Sequence, residues 1–504
     1  MRTLESYRNH LREIYKLSSA ISLLEWDQET TLQDKGMKAR GEAIGYLTRR
    51  AFDLKMAPEL GEWIENLEQD PELSSEVAGS VRFHGMEYRR KRAIPPRLVE
   101  EHAVVRSQAQ AVWAKARQTS DFKLFLPHLK KMVEFARRFA DLYGFEDHPY
   151  DALLEEYEPG MTATRLISIM RPLQEDLCSL LRKLPLGEAA QDESLLKGSF
   201  CVEKQRQLSR IVLKTIGYDF EAGALHDVEH PFTVAIASGD VRVTNQYDEA
   251  YLPYGLYGAL HEGGHALYHQ GMPEELYELG LQEGSSGGID EAQALIMENQ
   301  LGRSLPFWRF FQPLLASVFG EFGEASPEEI YRAVNVVSPS LVRLEADELT
   351  YNLHIMLRVE LEIGLIGGQI KPQELPDLWN EAMDRYLEVT PPSDKLGVLQ
   401  DIHWAAGYYG YFPTYLLGTL YASQLAASMK RELTDIDESV EHGEICAFVD
   451  WLRRKVHRFG GVYEPDELIL RATGEGLSAN HFMRYITDKY SDIYGVAEGS
   501  EKGP

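Results

Sequence analysis

The residues with the plainest chemistry are His261, Glu262 and His265, in the stretch HEGGH. Histidines four apart on a helix sit one turn apart on one face, and their imidazoles converge on a single divalent cation. The acid between them stands beside that cation, where it can take a proton from water. Such a set performs metal-assisted hydrolysis. The two glycines between the histidines raise the question of whether this is a helix, because each costs about 1 kcal/mol relative to alanine inside one. The surrounding residues, YGLYGALHEGGHALYHQG, favour a helix. Leu256, Leu260 and Leu267 make one stripe bracketed by Gly263 and Gly264, the histidines take the other side, and Gly271 suits a C-cap. Gly255, Gly258, Ala259 and Ala266 thin the helix almost all round, so another element is expected to approach it closely. His269 lies near the same face but about 12 Å along the axis from His261, too far to share one ion with both histidines.

A third ligand has to come from another segment. GGIDEAQALIMENQ, beginning at Gly287, reads as a helix start, and Asp290, Glu291 and Glu298 are its candidates. Acids in a first helical turn also serve the helix dipole, so spacing alone does not choose among them.

The elements that position these residues are mostly helical. Residues 1 to about 225 read as helix after helix, with apolar residues at helical spacing in IYKLSSAISLLEW, EEHAVVRSQAQAVWAKARQ and LFLPHLKKMVEFARRFADLYG. From His230 to Asp248 the texture changes to β-branched and alternating, interrupted by ASGD. This predicts an antiparallel hairpin turning near Ser238 to Asp240, just before the HEGGH helix. Its outer strand offers an edge on which a peptide can align its backbone. Helices then resume to about Tyr490, and the last residues, from about 496 to 504, look like a frayed tail. The expected organisation is one domain over 1–504: a helical lobe of 1–225, a catalytic lobe of 226–495, and the tail.

Bulk properties exclude other classes. A formal net charge of -27 over 504 residues disfavours nucleic acid and anionic membranes, which need a basic face. Cys178, Cys201 and Cys446 are scattered and in no CxxC pair, so neither disulfides nor a thiolate zinc site is expected. There is no apolar run of spanning length, and MRTLESYRNHLREIYKL has no apolar signal core, so a cytoplasmic protein is expected.

Several stretches together resemble the carboxypeptidase Taq family of thermostable metallocarboxypeptidases. They are HPF (His230 to Phe232), DVRVT (Asp240 to Thr244), HEGGH, DEAQ (Asp290 to Gln293), VRLEAD (Val342 to Asp347), GVLQDIHW (Gly397 to Trp404) and GYFPTY (Gly410 to Tyr415). LLEWDQET and PYDALLEEYEPGMT also match, so the resemblance runs from about residue 20 to about 485. It implies a two-lobed, mostly α-helical zincin body, related to neurolysin and angiotensin-converting enzyme, with a deep cleft and a small β-hairpin beside the metal helix. It implies one divalent metal, zinc or cobalt, held by His261, His265 and Glu291, with Glu262 as general base. Asp290 stands where the family commonly has histidine, and Ala292 where it has Ser or Gly. The resemblance also implies a homodimer acting on peptides.

An acyl-transfer oxyanion needs donors, and His230, Tyr411 and Tyr415 are the candidates. An exopeptidase acting at a C-terminus needs a cation for the free carboxylate, preferably a forked guanidinium. Arg343 and Arg242 are the candidates, each with a plain alternative: an ion pair of Arg343 with Asp347, or of Arg242 with Asp240. His403 is placed near substrate or one of these groups. The expected activity is release of single C-terminal residues with broad specificity. Two alternatives are a thimet-type oligopeptidase, which cuts internally, and a peptide-binding scaffold, which has no use for Glu262.

Overall fold

The helical spacing of the first part of the chain folds into long helices, among them Arg2–Thr30, Pro96–Thr119, Phe122–Tyr143 and Ala163–Lys183. The computed structural model describes residues 2–186 and 193–496. Local signals set the ends of these helices. Asp121 and Thr162 cap their N-termini by accepting backbone N–H bonds, and Gly144 closes one C-terminus at a φ of 83° that a side chain resists. Most of the expected tail, from residue 497 on, lies outside the described residues. Among the described residues no helix is long and apolar enough to cross a membrane.

The expected hairpin is present. Strand β2 (Thr233–Ala237) pairs antiparallel with β3 (Asp240–Asn245), and the turn between them carries Gly239 at a φ of 82°. The sheet is larger than the hairpin, however. A short strand β1 (Leu225–Asp227) runs parallel to β3 on its other side, giving the order β1-β3-β2. The sheet is therefore mixed, not antiparallel. Three residues, LHD, are too few to show alternation, and a parallel neighbour has no turn signal to announce it.

Contacts divide the chain into two compact units: Met1–Arg92, Glu193–Val334 and Leu425–Gly476 form one, and Ala93–Asp192, Asn335–Gln424 and Leu477–Pro504 the other. The boundary read near residue 225 therefore falls inside the first unit. A change of texture marks a change of element, whereas a unit is made by contacts between segments distant in sequence.

The first unit holds the sheet and the HEGGH helix, Leu252–Gln270. Val241 and Val243 of β3 are fully buried, and the helix packs on that strand. At the end of β3, Asn245 donates through Nδ2 to Ser209 Oγ (3.1 Å) and to the Gly255 carbonyl (2.7 Å). A Cβ at Gly258 would lie 2.5 Å from Asn245 Oδ1. The central glycines have equally specific neighbours. A Cβ at Gly263 would lie 2.7 Å from the side-chain tips of Leu213 and Ile216, at the end of the helix Val202–Thr215. A Cβ at Gly264 would lie 2.6 Å from Cα of Ala294, in the helix Gly287–Leu295. The close approach expected from sequence is present on both flanks. Gly271 does cap the helix, but in right-handed conformation (φ -83°). Its missing side chain makes room for the His457 ring, whose Nδ1 would lie 2.7 Å from a Cβ there.

Candidate metal centre and arginine cluster

Within the first unit, one potential ligand atom from each of His261, His265 and Glu291 lies within 4.8 Å of the others. The helix supplies the two imidazoles, with ring centroids 5.1 Å apart. The Gly287–Leu295 helix supplies the carboxylate, and Ser286 fixes its start by accepting the Ile289 N–H. The approach allowed by Gly264 brings the two helices together. Two imidazole nitrogens and one carboxylate oxygen are a donor set suited to zinc or a similar divalent ion with an open position.

Of the three acids offered by the sequence, the other two serve the histidines. Glu298 Oε2 is 2.9 Å from Nδ1 of His261, and Asp290 Oδ2 is 3.1 Å from Nδ1 of His265. Each carboxylate engages Nδ1 and leaves Nε2 as the nitrogen for a cation. Glu298 sits in a wider π-helical turn, Ile296–Leu301, which follows directly on the Gly287–Leu295 helix. Arg303 flanks Glu298 at 3.5 Å and stacks on Tyr257. Asp290 also faces His269 Nε2 at 3.8 Å, which gives His269 a place beside the site without making it a ligand. Farther back, Gln293 Oε1 meets Nε2 of the buried His457 at 3.1 Å, tying the Glu291 helix to the segment around residue 457.

The electrostatics follow from this crowding of carboxylates. Burial by itself would lower the His261 imidazole, but the Glu298 hydrogen bond and the charges of Glu291, Glu298 and Glu262 outweigh it and hold the group at about 10. His265 is also raised: burial works against the charged form, and Asp290 overrides it. Burial pushes the Glu291 carboxyl up, only partly offset by the two histidines. Without a cation, the site therefore stores its charge balance as protons on imidazole.

The second unit holds a different cluster. Asp401 accepts from Arg343 Nη2 (3.0 Å) and Nε (3.2 Å) through one oxygen and from Arg358 Nε (2.6 Å) through the other. Arg358 is 0% exposed and Arg343 7% exposed, so Arg343 is the member nearer solvent. Arg343 also donates to the Tyr351 hydroxyl (3.2 Å) and lies over the Tyr415 ring, 5.0 Å from its centroid. Burial and the two guanidinium charges lower His354 to about 3. Burial, with a further push from the arginines, lowers His403 to about 4. At neutral pH the cluster thus carries two guanidinium charges against one carboxylate.

The sequence profile of the carboxypeptidase Taq (M32) metallopeptidase family matches residues 6–490. The chain belongs to this family. It is 41% identical to thermostable carboxypeptidase 1 of Thermus thermophilus, over 97% of this chain and 99% of that one. It is 38% identical to carboxypeptidase 1 of Bacillus subtilis, over 96% and 97%. Its fold superposes on the crystal structure of an M32 carboxypeptidase from Deinococcus radiodurans with a TM-score of 0.94 at 31% identity, covering 98% of this chain and all of that one. This M32 chain is a metal-dependent carboxypeptidase, and the oligopeptidase and scaffold alternatives are set aside.

The M32 fold places the sequence candidates unevenly. His261, His265 and Glu291 come together, with Glu262 buried on the same helix. His230 is exposed on the turn before β2. Arg242 forms a two-pronged pair with Asp240 (2.8 and 2.9 Å) and lies under Trp26, 4.2 Å from the ring centroid. The alternative pairing of Arg343 with Asp347 does not occur. Asp347 caps the helix Glu348–Gly367 by accepting from Leu349 and Thr350, and Arg343 takes Asp401 from the motif that carries His403. Tyr411, Tyr415 and His403 pack together, with Tyr411 and Tyr415 ring centroids 5.3 Å apart and the Tyr415 hydroxyl 3.4 Å from His403 Nε2. Sequence reading missed Asp401 and Arg358. It also missed Glu362, which accepts from the Tyr150 hydroxyl, Trp404 Nε1 and the Gly410 N–H and so fixes the loop leading to Tyr411. Asp401 sits two residues from His403 in GVLQDIHW, where its position was the available signal.

Two outcomes test this centre. A ligand imidazole must lose its proton, and both are raised in the metal-free site, so affinity falls as pH drops below about 10. Zinc added to metal-free protein at pH 7 should release about one proton or more per ion, read by calorimetry in buffers of different ionisation enthalpy; zinc binding without proton release contradicts the assignment. Asp290→Ala should weaken zinc about 10- to 100-fold in chelator competition, whereas unchanged affinity would detach Asp290 from the centre.

Proposed function

We propose that this chain is a zinc carboxypeptidase, active also with cobalt, in which His261, His265 and Glu291 hold the ion. We further propose that it acts as one peptidase domain, as a cytoplasmic homodimer with broad preference for the residue released. The observation that supports the metal assignment is the convergence of those three ligand atoms, with a separate carboxylate behind each histidine. When bound, the ion polarises the scissile carbonyl and makes water a better nucleophile.

The chain's own residues do the rest. Glu262 accepts a proton from the attacking water and returns it to the leaving amine nitrogen. Tyr411, Tyr415 and His230 are the proposed donors to the oxyanion. Backbone pairing along the edge strand β2 aligns the peptide while leaving its side chains loosely read, which favours broad specificity. We assign the free C-terminal carboxylate to Arg343. The support is electrostatic: Asp401 neutralises only one of two buried guanidiniums, and the neutral His354 and His403 add no charge. A substrate carboxylate supplies the missing anion to a planar fork. Arg242 is already matched by Asp240 and covered by Trp26, so the proposed role of this pair is to hold β3 against the helix Arg2–Thr30.

Two peptides of one sequence, one with a free C-terminus and one amidated, test the reading by mass spectrometry. Stepwise loss of single residues from the free acid alone is expected, abolished by chelator and restored by zinc or cobalt. Arg343→Ala should lower kcat/KM on the free acid by about 30-fold or more. Internal cuts in both peptides, or an Arg343→Ala enzyme of full activity, would overturn the respective assignment.

A further inference from the structure

On β2, the hydroxyl of Thr233 lies against Glu262. Its Oγ1 is 2.8 Å from the carboxylate Oε2 and also 2.8 Å from the main-chain carbonyl oxygen of the same residue. One hydroxyl thus touches both the helix backbone at Glu262 and the end of its side chain. Of the two carboxylate oxygens of Glu262, Oε2 is the one that the hydroxyl engages.

The threonine is itself held in place. Phe232, just before it, donates its N–H to Thr244 Oγ1 (2.7 Å), and the Thr244 N–H donates to the Phe232 carbonyl (3.0 Å). Thr233 then pairs in register with Val243 of β3. Because β3 packs on the HEGGH helix, the sheet delivers the hydroxyl to Glu262 from a fixed direction.

This arrangement answers a need of the reaction. A glutamate has three side-chain torsions, and a base that must collect a proton in one place and deliver it in another loses rate when its carboxylate wanders. A hydroxyl donating to a carboxylate makes a charge-assisted bond, stronger in a buried setting than in water. A β-branched residue suits the strand that must carry it.

We propose that Thr233 is a positioning residue for peptide hydrolysis: its hydroxyl fixes Oε2 of Glu262 and leaves Oε1 as the oxygen that takes up and returns the proton. This rests on Glu262 being the general base. It assigns a role to the residue directly after HPF, which sequence reading left unassigned, and it gives β2 a task besides aligning substrate.

The test compares Thr233→Val, Thr233→Ala and Thr233→Ser, alone and combined with Glu262→Gln, by kcat, KM and zinc bound per chain. Valine and alanine should each lower kcat about tenfold or more, with KM and zinc content within about twofold of wild type. Serine, which keeps the hydroxyl, should restore most of the rate. In the Glu262→Gln background, Thr233→Val should cost nothing further, because the group it positions is already gone. Full kcat in Thr233→Val and Thr233→Ala beside a disabled Glu262→Gln overturns this proposal and leaves the base intact. An equal loss from Thr233→Val in both backgrounds, or no recovery with serine, assigns Thr233 to the fold alone. A fully active Glu262→Gln removes the base reading, and this proposal with it.

Discussion

The metal centre depends on a contact between backbones. At Gly264 the HEGGH helix meets the Gly287–Leu295 helix with no room for a single methyl group, and the backbone of Gln293 and Ala294 fills the place a Cβ would take. Two residues along the second helix from that contact is Asp290's neighbour Glu291, the acid that completes the candidate ligand set. The spacing within HEGGH orients the histidines, but only the approach of the second helix brings the carboxylate to them. Glycine in mid-helix is unfavourable by itself, and here the unfavourable choice is what makes the site compact.

Around that contact, charge is arranged in pairs. Each candidate ligand histidine has its own carboxylate, which fixes the direction of its ring before any ion arrives. Crowding the half-buried Asp290, Glu291 and Glu298 beside the buried Glu262 is costly unless cations or protons balance them. The raised His261 and His265 show that balance in the metal-free state. The second unit uses the opposite sign. There two guanidiniums share Asp401, and an excess positive charge is buried beside tyrosine rings.

Much of this was legible in the sequence because it is local. Periodicity gives the HEGGH helix, alternation with ASGD gives the β2–β3 hairpin, and the thin faces of Gly263 and Gly264 announce close neighbours. What was hidden depends on contacts between distant segments. Spacing could not separate Glu291 from Asp290 and Glu298, since the three acids differ in which atom of the other helix they meet. The family resemblance supplied that choice. β1 was invisible because three residues carry no period. The alternative partner read for Arg343, Asp347, lay within its own helical turn, yet the partner it takes, Asp401, is 58 residues away in sequence. Thr233 bears an ordinary strand residue's signature, and only its 2.8 Å approach to Glu262 sets it apart.

The most direct measurement is zinc affinity in Gly264→Ala, made on folded protein and set beside Gly263→Ala. The two substitutions add the same methyl group to adjacent positions of one helix. At Gly263 it meets the flexible tips of Leu213 and Ile216, which can give way, whereas at Gly264 it meets the backbone that carries Glu291. Gly264→Ala should bind zinc at least about tenfold more weakly although every ligand is still present, while Gly263→Ala keeps wild-type affinity. A folded Gly264→Ala protein with undiminished zinc binding would contradict the claim that this backbone contact assembles the centre.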